Sequence, residues 1–152
     1  MKASLTYYIW EGLLVGMLND EFIQMPAICG GGGGSTKNPS AKSVNNPYST
    51  GLKTTGSGAG HVHGGPLPTG KYAVATPSIH PKLKLSARLT PTGGQPMFTR
   101  SGFLIHGAGP HGSDGCIVLK DRNQLKTLMN ALTVSGGGTL FVEETMSGGR
   151  FV

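Results

Sequence analysis

Acidic residues are scarce in this sequence, and their scarcity excludes several kinds of protein. The 152 residues include seven Asp and Glu against 13 Lys and Arg, which gives a net charge of +6. Only 13% of the residues are charged, so the chain lacks the charged helix formers of a helical bundle or coiled coil. None of the seven acids forms a suggestive pair, which disfavours catalysis by paired carboxylates.

Cysteines, basic runs and long apolar segments are also few. Two cysteines, Cys29 and Cys116, are too few for a disulfide scaffold. The basic residues are scattered, so we expect no nucleic-acid partner, although a diffuse positive charge suits an anionic polymer such as a bacterial cell wall. Glu11 interrupts the apolar opening segment and no convincing cleavage site follows it, so neither membrane insertion nor a signal peptide is predicted.

Glycine and proline are abundant instead, with 26 Gly and 10 Pro. The glycines have no three-residue period, which excludes collagen. With 37% hydrophobic residues the chain can bury one modest core, so we expect a single, mainly β domain over residues 1–152. Residues 30–63 are predicted to form a flexible, glycine-rich loop. Residues 31–35 also match a common engineered linker, and both interpretations stay open.

Hydrophobic patterning predicts strands at residues 5–10, 13–17, 22–25, 72–76, 82–89, 102–106, 116–119 and 139–143. In the clearest of these, residues 82–89, one set of side chains is expected to be buried and the alternate set to face solvent; the buried set is Leu83, Leu85, Ala87 and Leu89, and the solvent set is Lys82, Lys84, Ser86 and Arg88. Asp121 and Gln124 resemble a capping box, which predicts one helix with an apolar face of Leu125, Leu128, Met129 and Leu132.

The densest group of reactive residues lies between positions 103 and 119. An apolar strand ends at His106, and a glycine-rich interval of ten residues leads to Cys116, which opens another apolar strand. If these strands are neighbours, the imidazole and the thiol meet, and a base near the thiol is what nucleophilic catalysis by cysteine requires. Gly115 would let the backbone amides around Gly115 and Cys116 approach a reacting carbonyl as an oxyanion hole.

Two other interpretations of these residues stay open. A single cysteine in an apolar strand is commonly a buried small hydrophobe, and the chain would then be a noncatalytic cell-wall or partner-binding module. A zinc hydrolase would use the histidine cluster, whose members are His61, His63, His106 and His111, with Cys116.

The motifs resemble those of a known family. Ile105-His106-Gly107 followed by Ser113-Asp114-Gly115-Cys116 resembles the active-site signature of L,D-transpeptidases of the YkuD type. Residues 68–72 resemble the turn that precedes that signature, and the resemblance covers roughly residues 45–145. Most such enzymes have His at the position of Asp114 and a longer His-to-Cys interval. Both departures, and the turn at residues 65–72, are similar to type VI secretion L,D-transpeptidase effectors, which are antibacterial toxins.

The resemblance implies an L,D-transpeptidase-like β-sandwich with one short α-helix, long glycine-rich loops and no cofactor or metal. Cys116 would attack the carbonyl of the diamino acid at the third position of a peptidoglycan stem peptide and expel the terminal D-alanine. His106 would activate the thiol, and both cysteines would be free thiols. Water, a free D-amino acid or a second stem as acceptor would give carboxypeptidase cleavage, exchange or cross-linking, and the sequence does not choose among them.

The resemblance also suggests supporting residues and partners. Ser113 would position the loop or the histidine, and Asp114 would orient His106 or His111. The candidate substrate-binding residues are Arg100, His111, Gly107 and Tyr72; for Arg100 a solvated surface position, and for Tyr72 a place in the core, are the alternatives. A type VI secretion apparatus would deliver the protein to the periplasm of a target cell, and an immunity protein would neutralise it.

Overall fold

The computed structural model describes residues 2–30, 45–51, 64–108 and 115–146. Most of the predicted loop at residues 30–63 lies outside these ranges. The described elements are, in chain order, β1 (Ala3–Tyr8), β2 (Leu13–Leu18), β3 (Glu21–Cys29), a 3-10 turn (Pro47–Ser49), β4 (Gly70–Val74), β5 (Ser78–His80), β6 (Lys84–Pro91), β7 (Leu104–Gly107), β8 (Ile117–Leu119), α1 (Arg122–Ser135) and β9 (Gly138–Glu143).

The strands form one sheet that closes on itself. Their order is β4-β9-β1-β2-β3-β8-β7-β6-β5, and a further pairing of β4 with β6 completes a ring from which β5 projects. The β1–β9 and β7–β8 pairs are parallel, and the other pairs are antiparallel. Strand β6 makes this branch because its first residues pair with β5 and β7 while its last three pair with β4. The mainly β fold expected from the sequence is therefore confirmed.

The core fills the inside of this ring and is completed by α1. Alternate residues of β1 point inward, since Leu5 and Tyr7 are buried while Ser4 is exposed. The helix begins where the Asp121 carboxylate accepts hydrogen bonds from two backbone amides of the first turn, at 2.8 and 3.1 Å. It ends at Gly136, whose φ of 75° is left-handed. The predicted apolar helix face packs on the core through Leu128, Met129 and Leu132.

The alternation predicted for residues 82–89 holds in part, since Leu83 and Leu85, predicted to be buried, are only half-buried. Ala87 and Leu89 are buried and Arg88 is exposed, but Ser86, predicted to face solvent, is 2% exposed. Ser86 is paired with Ser78 of β5, and extending the β6–β7 register by one residue places it opposite His106. The buried His106 lies on the same face, so this part of the outer face of β6 is covered as well as the inner one.

Within the described ranges, no helix has the length and apolar character needed to cross a membrane.

Candidate active site

His106 and Cys116 lie on one face of two neighbouring strands. Strands β7 and β8 run parallel with His106 opposite Val118, and Cys116 comes two residues before Val118. Cys116 directly precedes β8, and extending the alternation of that strand by one residue places the thiol on the same side of the sheet as the imidazole. The intervening Ile105 and Ile117 point the other way and are fully buried in the core. The two apolar strands are therefore neighbours in the sheet, as predicted.

The imidazole of His106 is held in one tautomer. His106 is 8% exposed, and its Nδ1 lies 2.8 Å from the carbonyl oxygen of Gly107. A carbonyl can only accept a hydrogen bond, so Nδ1 carries the proton and Nε2 keeps its lone pair. Burial lowers the pKa of His106 below its usual value, the hydrogen bond to Gly107 opposes this, and the nearby charge of His80 lowers the pKa further. The neutral ring can therefore accept a proton at Nε2.

The two cysteines differ in their surroundings, and both are free thiols. Cys116 is partly exposed, whereas Cys29 is fully buried. Burial raises the pKa of Cys29, and the proximity of Cys116 raises it as well, so Cys29 remains a protonated donor. Its Sγ lies 3.0 Å from the carbonyl oxygen of Gly115, to which it donates, and it accepts from the amide of Leu67 at 3.4 Å.

Gly115 occupies a position that no other residue fits. Its φ is 127°, and a Cβ there would lie 2.5 Å from the Phe103 ring and 2.6 Å from Nη2 of Arg100. The Cys29 thiol fixes the Gly115 carbonyl from the core side. The peptide that leads into Cys116 is trans, so its amide points away from that carbonyl. The oxyanion hole proposed for these amides stays a prediction, but the orientation of the peptide is fixed.

Arg100 is buried and binds the backbone of the protein itself, so its description as a solvated surface residue is wrong. It is 7% exposed, and its guanidinium lies 5.1 Å from the centre of the Phe103 ring. It donates hydrogen bonds to the carbonyl oxygens of Gly65 at 2.6 Å, Pro66 at 2.7 Å and Thr50. These contacts make Arg100 a positioning residue that joins two loop segments behind Gly115. Its candidate role in substrate binding stays a prediction.

Two other candidate substrate-binding residues have structural roles. Tyr72 is fully buried and its hydroxyl donates to the Pro68 carbonyl at 2.6 Å, so it belongs to the core, where no substrate can reach its side chain. At Gly107 a Cβ would lie 2.7 Å from Cδ2 of Leu125, so glycine lets α1 approach the strand. The carbonyl of Gly107, and not its missing side chain, serves the site by orienting His106.

The remaining candidates fall outside the described residues. Ser113, Asp114 and His111 lie there, as do His61 and His63 of the zinc hypothesis. Among the residues that the structure does describe, no group of three or more His, Cys, Asp and Glu side chains is placed to hold a metal ion.

Comparison with known proteins identifies the fold. No protein-family model matches the sequence, and no curated protein matches it. Among solved structures, the L,D-transpeptidase from Mycobacterium smegmatis matches with a TM-score of 0.50 and 15% identity, over 93% of this chain and 58% of that one. The L,D-transpeptidase from Xylanimonas cellulosilytica matches with a TM-score of 0.51 and 14% identity, over 93% and 60%. The chain has the fold of the L,D-transpeptidases. It spans about three fifths of the length of these two chains.

Within this L,D-transpeptidase fold, the site has the parts that covalent catalysis needs. A partly exposed thiol lies on the same face as a neutral imidazole whose free lone pair can take the thiol proton. Two residues of this region were missed by the sequence reasoning. Cys29 gave no signal, because its contact with Gly115 joins positions 86 residues apart. The sequence contains one indication of His80 that the prediction did not use, since His80 begins a segment whose charged residues are all basic.

Proposed function

We propose that this protein is a cysteine-dependent enzyme that acts on peptidoglycan stem peptides, with Cys116 as the nucleophile and His106 as the general base. One observation carries the proposal. His106 is buried, neutral and oriented by the Gly107 carbonyl, and it shares a face of two parallel strands with the partly exposed Cys116 thiol. The L,D-transpeptidase fold supports the choice of substrate class.

The reaction begins when Nε2 of His106 takes the proton of the Cys116 thiol. The thiolate attacks the carbonyl carbon of the diamino acid at the third stem position, and a C–S bond forms. Amides around Gly115 stabilise the oxyanion. The intermediate collapses as the C–N bond to D-alanine breaks, and the imidazolium returns its proton to the leaving amine. Ser113 would position the loop or the histidine, and Asp114 would orient His106 or His111.

The acyl group of the thioester is then transferred to an acceptor, and the C–S bond to Cys116 breaks. Water gives L,D-carboxypeptidase cleavage, a free D-amino acid gives exchange, and the amine of a second stem gives a cross-link. In each case His106 removes a proton from the acceptor and passes it to the departing thiolate. The proton transfers therefore balance without a cofactor.

The proposal is tested by incubating the purified protein with a tetrapeptide stem and measuring released D-alanine and modified peptide by mass spectrometry. We expect turnover by the wild type and a loss of about 10⁴-fold or more in Cys116→Ala, as for other enzymes that lose a nucleophile. Cys29→Ser is the matched control, since it changes the other thiol and keeps a hydrogen-bond donor to Gly115. Full activity of Cys116→Ala would reject the mechanism. Binding without turnover by the wild type would identify a cell-wall binding module, and loss of turnover with a chelator would identify a metal enzyme.

We further propose that the protein is an antibacterial type VI secretion effector that acts in the periplasm of the target cell and is neutralised by an immunity protein. The short interval between His106 and Cys116 and the turn at residues 65–72 support this, because both are similar to such effectors. Expression in a bacterial host should arrest growth only when the protein carries a periplasmic leader and an intact Cys116. Equal toxicity from the cytoplasm would contradict the proposed site of action.

A further inference from the structure

A second histidine lies beside the proposed active site, on the hairpin of β5 and β6. All the charged side chains of this hairpin are basic, because residues 22–113 of the sequence contain no Asp or Glu. Lys82, Lys84 and Arg88 are exposed on it, and His80 is partly buried. The hairpin therefore brings positive charge to this side of the sheet without a local acidic partner.

The strand registers place His80 on the same face as His106. Ser78 is paired with Ser86, and the β6–β7 register extended by one residue sets Ser86 opposite His106. Antiparallel partners share a face, and so do residues two apart in one strand. His80 is two residues from Ser78, so it lies on this same face. An independent observation agrees, since the two imidazoles are close enough that protonation of one disfavours protonation of the other, which lowers the pKa of His106 by a smaller effect than burial does.

The ring of His80 is also held in a single orientation. Its Nδ1 accepts hydrogen bonds from the backbone amides of Lys82 and Leu83, both at 3.1 Å. An amide can only donate, so Nδ1 is unprotonated and the neutral ring carries its proton on Nε2. The turn of the hairpin thus fixes an N–H donor on the side of the ring that points away from the turn.

We propose that His80 is a substrate-binding residue whose Nε2–H binds a carboxylate of the peptide substrate beside His106, with Lys84 and Arg88 supplying a positive surround. A negatively charged acceptor is the ligand that suits a fixed donor on a hairpin whose charged side chains are all basic. This inference rests on the proposed function. A stem tetrapeptide offers two carboxylates near the scissile bond, one on the terminal D-alanine and one on the side chain of the diamino acid.

The test uses three tetrapeptides: one with both carboxylates, one with a C-terminal carboxamide, and one in which the side-chain carboxylate of the diamino acid is amidated. Turnover by the wild type is compared with that of His80→Asn. Asn can accept from the Lys82 and Leu83 amides as Nδ1 does, but it lacks the Nε2–H. We expect His80→Asn to lower kcat/KM on the unmodified peptide by about 10- to 100-fold, mainly through KM. On the peptide in which the carboxylate bound by His80 is amidated, wild type and His80→Asn should have the same kcat/KM. The peptide that shows this equality identifies the bound carboxylate.

Controls separate this inference from the fold and from the proposed function. Lys126→Gln removes an exposed charge on α1 and should leave all three rates unchanged. If His80→Asn unfolds, the double variant Lys84→Gln/Arg88→Gln replaces it, because both side chains are exposed, and it should show the same selectivity with a smaller loss. Equal rates for wild type and variant, or the same loss on all three peptides, would overturn the inference while the proposed function stands. No turnover of any peptide by the wild type would reject the proposed function itself.

Discussion

At the scale of single residues, the protonation state of His106 decides whether the site works. Burial lowers its pKa, the Gly107 carbonyl acts against this by holding the Nδ1 proton, and His80 lowers the pKa further. A base must be unprotonated to act, so a lowered pKa keeps it active in more acidic solution.

We therefore predict that the acid limb of kcat/KM lies below pH 6.5, the usual pKa of histidine. The measurement is the pH profile of D-alanine release from a tetrapeptide with constant ionic strength.

The pH dependence of the free energy of unfolding provides an independent check on the pKa of His106. Between the lowered pKa of folded His106 and the usual value, the unfolded chain binds more protons, so the free energy of unfolding rises with pH across that window. His106→Gln should reduce this slope in denaturant titrations. An acid limb above pH 6.5, with no change of slope in His106→Gln, would contradict the assignment.

At this scale, the position of a residue could be predicted from the sequence only where neighbouring residues in the chain indicate it. His106 and Cys116 stand at the ends of apolar strands and within a motif, so their pairing was predictable. Alternation predicts the face of Ser86 but not its burial, because it records which side of one strand a residue occupies and not whether that side is covered. The burial of Arg100 could not be predicted, because its three carbonyl partners come from segments 34 to 50 residues away.

At the scale of elements, the site depends on loops held by one side chain. The segments at residues 45–51 and 64–68 come together behind the Gly115–Cys116 peptide, where Arg100 donates to a carbonyl of the first and two carbonyls of the second. The planar guanidinium presents several donors in fixed directions, and a lysine ammonium does not. Positive charge alone would therefore not hold this arrangement.

We predict that Arg100→Lys lowers the free energy of unfolding by about 2 kcal/mol, because at least one buried carbonyl loses its charged donor. It should also reduce kcat more than KM, since Arg100 packs against the position of Gly115, next to the proposed nucleophile. The matched control is Arg122→Lys at the exposed start of α1, which should change stability by less than about 0.5 kcal/mol. Chemical denaturation and steady-state kinetics provide both readouts. Equal effects of the two substitutions would show that Arg100 does not position the site.

Strand positions were largely predictable at this scale, and their connections were not. Each predicted strand corresponds to an observed one with ends shifted by a few residues, and α1 begins after Asp121 as its cap indicated. The three-residue strand β5 was missed, because a run as short as Ser78–His80 leaves no alternation to detect. It is this missed strand that carries His80.

At the scale of the whole molecule, closure of the sheet depends on strands far apart in the sequence. Strand β1 lies between β2 and β9 and pairs in parallel with β9, from Ala3 opposite Gly138 to Tyr8 opposite Glu143. Parallel pairing of distant strands leaves no local sequence signal, which is why the ring could not be predicted although its strands were. The strands that carry His106 and Cys116 belong to the same ring, so their register depends on its closure.

This dependence predicts that damage to β1 unfolds the whole ring in one step. Leu5→Ala removes a fully buried side chain and should cost about 3 kcal/mol, whereas the exposed Ser4→Ala should cost less than about 0.5 kcal/mol. Trp10, the only tryptophan, follows β1 directly and reports on this part of the ring, while circular dichroism reports on all strands. Because β1 is paired on both sides, the two signals should change at the same denaturant concentration in the wild type and in Leu5→Ala. A fluorescence transition that precedes the circular dichroism transition would mean that β1 detaches alone, and the ring would then not be a single cooperative unit.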